Sequence, residues 1–378
     1  MPQRRVVLVT GCSRGGIGYA LCSEFAQRGC KVYATARSPE RMQGLESLGC
    51  RLLRLDTTDA ASIDAAVGAV VAEDPGGVDV LVNCAGIAMR GAVLDTPLDE
   101  VRRVFETNYL GAVALVGALG PAMVARRSGT IVNVGSATGF WALPFTAHYG
   151  ASKAALQAFS NSLRRGFGAG LSSAPAFISL KAAQLAPWEL APFNVHVVHA
   201  APGFVKTEIF EKGAAAGRIL VDRAGPYAPA AAEIEGDVFQ NPLMGGMFAS
   251  ELGPFARRFA SAVLRRRPPA LLLEGRWARS SLVAGRWLPR ALVDAWSFFA
   301  FGLWRLTAWN IWAEPPAAAG QRPAGKGPPL IPAGRLSEGA TGLLPASPPA
   351  GVGAAAEDLP RTCQMPAALG MGTGVRPS

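Results

Sequence analysis

The sequence predicts an α/β fold, a doubly wound parallel sheet in a single domain, followed by a C-terminal helical extension and a disordered tail. Three observations carry that prediction. Over the first 200 residues, short β-branched runs alternate with segments whose apolar residues recur at helical spacing. The first strand-like run leads directly into a glycine-rich turn and then a helical pattern. The chain is 378 residues long and 50% hydrophobic, enough for one large α/β domain of roughly 250 residues with extras.

The alternation justifies the sheet element by element. Strand-like runs occupy Val6–Thr10, Lys31–Ala36, Arg51–Asp56, Val78–Asn83, Thr130–Ser136 and Asn194–His199. Between them, Ile17–Arg28, Ala60–Val71, Leu98–Tyr109 and Tyr149–Arg165 have the apolar spacing of helices. Strand–helix alternation over this length reads as a parallel sheet covered on both faces. One segment breaks the rhythm. Gly166–Trp188 interrupts a helical pattern in which Leu163-Arg164-Arg165 would join naturally to Glu189-Leu190-Ala191-Pro192. A helix-to-strand link ordinarily takes a few residues, whereas a long surface insertion is thermodynamically tolerable. The expectation is an irregular surface insertion without a catalytic role.

After Pro202 the pattern is less regular. Pro226–Phe255 reads as loop and short helix, and Ala270–Glu274 as a last strand. Residues 1–275 are thus assigned to the catalytic domain and 276–313 to an apolar helical extension. The latter includes Leu288–Trp312 with Trp296, Trp304, Trp309 and Trp312. Residues 314–378, mostly Ala, Gly and Pro without periodicity, read as a disordered tail.

The charge balance is basic, 37 Lys+Arg against 27 Asp+Glu, net +10. It favours anionic partners: nucleotide phosphates, lipid headgroups or nucleic acid. No aromatic-interleaved basic patch accompanies it, so nucleic acid is not an expected partner. Six cysteines without a CxxC pair and only three histidines argue against a disulfide framework or a metal site, and a reducing, cytoplasmic compartment is the default. An apolar run begins within five residues of Met1, and no secretory signal is evident.

The glycine loop runs Thr10-Gly11-Cys12-Ser13-Arg14-Gly15-Gly16-Ile17-Gly18. Glycine permits positive φ and close backbone approach, and the following helix offers unpaired N–H groups to a pyrophosphate, the device of a Rossmann-type domain. The second strand ends in Arg37. A carboxylate there would bind the ribose 2′-OH of NAD(H); Arg37 together with Arg14 suits a 2′-phosphate and so favours NADP(H).

Further along stand Asn83-Cys84-Ala85-Gly86, Asn108 in ETNYLG, Ser136, Tyr149-Gly150-Ala151-Ser152-Lys153 and Pro202-Gly203-Phe204-Val205-Lys206-Thr207. With the glycine loop, these motifs resemble a short-chain dehydrogenase/reductase, in the correct order over about residues 5–210. The resemblance implies a catalytic tetrad of Asn108, Ser136, Tyr149 and Lys153. It also implies cofactor contacts from Gly11, Ser13, Arg14, Gly16, Ile17, Gly18, Arg37, Asn83, Ala85, Gly86, Tyr149, Lys153 and Pro202. Asp56 resembles the residue beside the adenine, with a strand-end turn cap as the alternative, and Thr207 resembles a cofactor-contacting threonine. The resemblance further implies that Lys153 bonds the nicotinamide ribose and Asn108 holds a relay water. Tyr149 and Pro202 are 53 residues apart, and without the 23 of Gly166–Trp188 the interval is 30, which resembles the family's spacing.

The residues support the same chemistry independently. Tyr149 and Lys153 are four apart, so they share one helix face. An unperturbed phenol titrates near pH 10, and a neighbouring ammonium is expected to lower that by about 3 units, roughly 4 kcal/mol. Tyr149 would then donate its proton to the alkoxide formed as hydride arrives, while Ser136 bonds the carbonyl. Cys12 and Cys84 read as small buried thiols and His148 as an incidental neighbour of Tyr149.

TGCSRGGIG, ELAPFNVHVVHAAPGFVKTEI and the late segment LPRALVDAWSFFAFGL are similar to NADPH-dependent 1-acyldihydroxyacetone phosphate reductases, which implies a lipid-like ketone reduced to lysophosphatidic acid at the endoplasmic reticulum or lipid droplets. Steroid- or retinoid-type reductases, and a catalytically silent nucleotide-binding protein, are the alternatives. Leu288–Trp312 is long enough to span a bilayer, but Asp294 and Arg305 would each cost roughly 2.5–3.5 kcal/mol at its centre. Two readings stay open for it: an interfacial helix with Arg265–Arg267, Arg286 and Arg290 facing anionic lipid, or a helix covering the domain's own substrate cleft or an oligomer interface.

Overall fold

A computed structural model describes residues 4–164, 190, 193–209, 212, 219–239, 249–301 and 303. The expected tail, the insertion Gly166–Trp188, and Trp304, Trp309 and Trp312 lie outside the described residues. Among the described residues, seven parallel strands form the main sheet: β1 (Val6–Thr10), β2 (Lys31–Ala36), β3 (Arg51–Arg54), β4 (Val80–Asn83), β5 (Gly129–Val134), β6 (Val195–Ala200) and β7 (Leu271–Leu272). Their order is β3-β2-β1-β4-β5-β6-β7. The winding reverses between β1 and β4, and in such sheets ligands bind beyond the strands' C-terminal ends at that point. A two-residue pair, Arg90–Gly91 with Ile219–Leu220, stands apart.

The helices are α1 (Ile17–Gln27), α2 (Ala60–Glu73), α3 (Leu98–Phe105), α4 (Gly111–Ala125), α5 (Ala147–Arg164), α6 (Leu252–Val263), α7 (Ala278–Trp287) and α8 (Arg290–Ala300). Alternate strand residues face opposite sides. Val7, Val9, Val82 and Val132 pack under Leu21 and Phe25 of α1 and Phe255 and Phe259 of α6. Leu8, Leu81, Ile131 and Val197 pack under Ile63 and Val70 of α2, Leu115, Leu119 and Met123 of α4, and Leu163 of α5. Each layer removes a full helix stripe from water, which is the main stabilising term.

The structure corrects several expected boundaries. Strand β3 stops at Arg54, because Asp56 has already turned out of the sheet to accept bonds from Thr58. Ser136 lies past β5, as N-cap of the short turn Ala137–Gly139. The helix expected over Leu98–Tyr109 instead breaks into a π-helical turn at Glu106–Leu110 and continues as α4. From Leu98 to Ala125 this stretch is long and apolar enough to cross a membrane, yet its buried side chains line the sheet, as in a core helix. Helix α6 starts inside the segment read as loop and short helix. Leu190 donates its N–H to the Leu163 carbonyl (3.3 Å), so the chain on the far side of Gly166–Trp188 resumes against the end of α5.

The grouping of Arg265–Arg267 with the tryptophans is also corrected. These arginines line a hollow with Arg5, Gly129, Thr130 and Asn194, at the N-terminal ends of the strands. Trp296 of α8 instead packs on Trp141, past the C-terminal end of β5. Of the two open readings for this extension, α7 and the described part of α8 rest on the domain beside Ser136.

Candidate active site

The C-terminal ends of β1, β4 and β5 converge on one cleft. At Gly11 (φ 72°), a Cβ would stand 2.7 Å from the Ala85 Cα, and at Gly18 it would stand 2.6 Å from the Gly11 carbonyl oxygen. Only glycine lets the two turns meet so closely. Gly16 caps α1 without a side-chain bond, so no capping side chain stands between the start of the helix and an anion. That cradle fits a dinucleotide pyrophosphate. Ile17, the first residue of α1, packs against the core beneath.

The loop is fastened to β2 by Cys12 N–H to the Thr35 carbonyl (3.0 Å) and to the turn beyond β2 by Arg14 N–H to the Arg41 carbonyl (2.8 Å). Arg14, beside the half-buried Ser13, thus lies against the segment that follows Arg37, and Arg41 is a third cation there. Lys212 Nζ donates to the Arg14 carbonyl (2.7 Å) and is paired with the Glu208 carboxylate (2.9 Å), so its charge is already matched. No carboxylate is paired with Arg14, Arg37 or Arg41 among the described residues. Burial raises the Asp56 carboxyl, but the Thr58 bonds and the charges of Arg37 and Arg54 outweigh it and hold the group below its usual range. Its Oδ1 accepts from both Thr58 N–H (3.0 Å) and Thr58 Oγ1 (2.8 Å), the geometry of a turn cap.

Thr10 Oγ1 accepts from Cys84 N–H (3.0 Å) and Ala85 N–H (2.9 Å), which fixes the turn after β4. Asn83 is buried and donates to Asn133 Oδ1 (2.8 Å), so its side chain ties β4 to β5. Gly86 leaves room for two site residues: its missing Cβ would stand 3.2 Å from Asn108 Oδ1 and 3.3 Å from Lys153 Nζ. Asn108 sits in the π-helical turn, a distortion common at functional sites. Its Oδ1 accepts from Ile87 N–H (2.8 Å) while Nδ2 donates to the Ile87 carbonyl and Ser152 Oγ, both at 3.0 Å. The side-chain amide is thus committed to clamping the turn after β4 onto α5.

Ser136 Oγ accepts from Thr138 N–H (3.2 Å) and Thr138 Oγ1 (2.9 Å). With both lone pairs engaged, its hydroxyl proton is directed outward as a donor. Tyr149, 7% exposed, has the Ser136 hydroxyl beside its phenol. Lys153 Nζ lies 5.9 Å from the Tyr149 ring centroid and donates to the Val134 carbonyl (3.0 Å). The phenol, the ammonium and the serine therefore meet at one place. The expected direction of the phenol's shift is corrected: burial pushes Tyr149 up to about 12, with the Ser136 hydroxyl acting downward against it. Burial pulls Lys153 down to about 8. At neutral pH the phenol is a protonated donor beside a mostly protonated amine.

Pro202 accepts from Ala137 N–H (2.8 Å), and Glu208 N–H reaches the Gly15 carbonyl (3.4 Å), so the half-buried Thr207 is carried back to the glycine loop. His199 was not singled out in the sequence. It is 1% exposed with neither ring nitrogen hydrogen-bonded. Burial, with the charges of Lys153 and Arg164, pulls it down to about 4, so it is neutral behind Gly135. Cys12, like Cys22 and Cys50, is buried, while Cys84, half-exposed as a residue, has its thiol pushed up to about 12 by burial.

Residues 5–169 match the family model for short chain dehydrogenases. A short-chain dehydrogenase of Hypocrea virens is 30% identical over 300 residues, covering 79% of this chain and 92% of that one. The chain belongs to the short-chain dehydrogenase family. Within this family, an NADPH-dependent 1-acyldihydroxyacetone phosphate reductase of Schizosaccharomyces pombe is 37% identical over 212 residues, covering 56% of this chain but only 64% of the relative. The crystal structure of a short-chain dehydrogenase from Streptomyces avermitilis superposes with a TM-score of 0.60 at 28% identity, over 80% of this chain and 99% of the other. Of the four residues expected to form a tetrad, Ser136, Tyr149 and Lys153 lie together, and Asn108 lies beside Lys153 across Gly86. Thr10, Arg41, Lys212 and His199 were missed; of these, only the run of arginines at 37 and 41 left a signal in the sequence.

Proposed function

We propose that this protein is an NADPH-dependent reductase of a lipid-like ketone, converting 1-acyldihydroxyacetone phosphate to lysophosphatidic acid. The observation that carries the reading is the junction of Tyr149, Ser136 and Lys153 at the open ends of β4 and β5, beside the glycine cradle. The name of the Schizosaccharomyces pombe relative supports the substrate. Arg14, Arg37 and Arg41, without a paired carboxylate among the described residues, support a 2′-phosphorylated cofactor.

When bound, NADPH supplies the hydride. Ser136 Oγ–H holds the ketone oxygen and stabilises the charge that develops there. Tyr149 Oη–H gives its proton to that oxygen, completing the alcohol, since an alkoxide is a stronger base than a phenolate. The phenolate left on Tyr149 is stabilised by the Lys153 ammonium and then regains a proton from solvent. The enzyme works from the cytoplasm on the surface of endoplasmic reticulum or lipid droplets. The exposed Trp287, Leu288, Leu292 and Phe299, beside Arg286 and Arg290, support contact with such a surface.

The test is a panel of ketones offered to the full chain with NADPH and with NADH. Oxidation of NADPH by 1-hexadecanoyl-dihydroxyacetone phosphate, faster than by any steroid or retinal, is the expected result. Turnover of a steroid or retinal in its place would move the assignment to that class, and cofactor binding without turnover of any ketone would reject the enzyme.

A further inference from the structure

The C-terminal extension contributes to the cleft through aromatic side chains. Ser136 begins the turn Ala137–Gly139, and Phe140 and Trp141 follow. Helix α7 is seated directly on that turn: a Cβ at Gly285 would collide with the Phe140 carbonyl. Helix α8 then places Trp296 with its ring 4.9 Å from Trp141, 6.1 Å from Trp277 and 6.0 Å from Phe301. Inward of these, Leu143 and Phe301 are buried together, with Phe204 and Trp141 packed against them. Phe204 lies two residues past Pro202, whose carbonyl is bonded to Ala137 N–H next to Ser136. An apolar strip therefore runs from the catalytic serine to Trp296, which is 40% exposed at its outer end.

We infer that Trp296, stacked on Trp141, is the wall along which the acyl chain of the substrate lies, so that α8 sets the preference for chain length. This rests on the lipid-ketone reading above. The half-buried Trp141 and Phe204 and the exposed Trp296, backed by the buried Leu143 and Phe301, form a wall with no charge, which suits an unbranched hydrocarbon. It contacts the chain and not the reacting carbonyl, so its effect grows with chain length. Trp296 lies on a peripheral helix, where its ring partners are Trp141, Trp277 and Phe301.

The test compares wild type, Trp296→Ala and Trp296→Phe, each saturated with NADP+, for equilibrium binding of the hexadecanoyl and acetyl forms of glycerol 3-phosphate, the product series. Trp296→Ala is expected to weaken the hexadecanoyl compound about tenfold or more and the acetyl compound less than about twofold. Trp296→Phe, which keeps an aromatic wall, is expected to recover most of the difference. Unchanged binding of NADP+ to both variants reports that the fold is intact. Equal losses for both chain lengths, or no loss for either, would overturn the inference. NADPH oxidation is read separately: absence of turnover in wild type counts against the reductase, whereas the binding series alone decides the wall.

Discussion

Burial acts on Tyr149 and Lys153 in opposite directions, and the result is a proton donor flanked by a titrating amine. The phenol, up at about 12, keeps its proton across the neutral range. The amine, down at about 8, loses its charge just above it. Because the ammonium is needed once Tyr149 becomes phenolate, ketone reduction should be level below pH 8 and decline above it by about tenfold per unit. A kcat profile with NADPH saturating at every pH checks this; a profile that stays level to pH 10 would remove Lys153 from the mechanism. At the cofactor end, charge-assisted bonds are worth about 1.5–3 kcal/mol. Arg37→Ala and Arg14→Ala should therefore each weaken NADPH by about ten- to a hundredfold while leaving NADH nearly unchanged, as read by cofactor fluorescence.

At the scale of elements, the π-helical turn between α3 and α4 positions the site by presenting Asn108 to both Ile87 and Ser152. Asn108→Ala strands the Ile87 amide and carbonyl in a buried place, so unfolding stability should fall by about 2–3 kcal/mol, measured by denaturant titration, and NADPH affinity should fall with it. No change in either would mean that the clamp is dispensable. This turn was not legible in the sequence, since one extra backbone residue does not disturb an apolar period long enough to notice. Helix α4 escaped for a related reason. GAVALVGALGPAMVA is apolar all round in sequence, because the face opposite its buried stripe of Ala112, Leu115, Val116, Leu119 and Met123 carries Ala, Gly and Pro121 and no charge, so the stripe does not show. By contrast β1 and β2 were readable to the residue, because both are continuous apolar runs ended by the glycine loop and by Arg37.

Across the whole molecule, the doubly wound topology brings residues from 10 to 212 to one sheet edge, and motif order alone was enough to anticipate most of that convergence. What the motifs could not convey was burial. The direction of the Tyr149 shift, the neutral His199 and the role of Thr10 all depend on neighbours far apart in the chain. Nor could local composition place Arg265–Arg267, which the strand order carries to the edge opposite the cleft. The tryptophans of the extension, read as open between a membrane and the domain, have in Trp296 a member that packs on the domain.

The central claim is that the Tyr149 hydroxyl delivers the proton to a ketone oxygen held by Ser136. Its most direct measurement is steady-state reduction of an acyl-dihydroxyacetone phosphate by Tyr149→Phe alongside wild type, with NADPH affinity measured on both. The account predicts a fall in kcat of about a hundred- to ten-thousandfold with NADPH bound as tightly as before. Full turnover by the phenylalanine variant would contradict it.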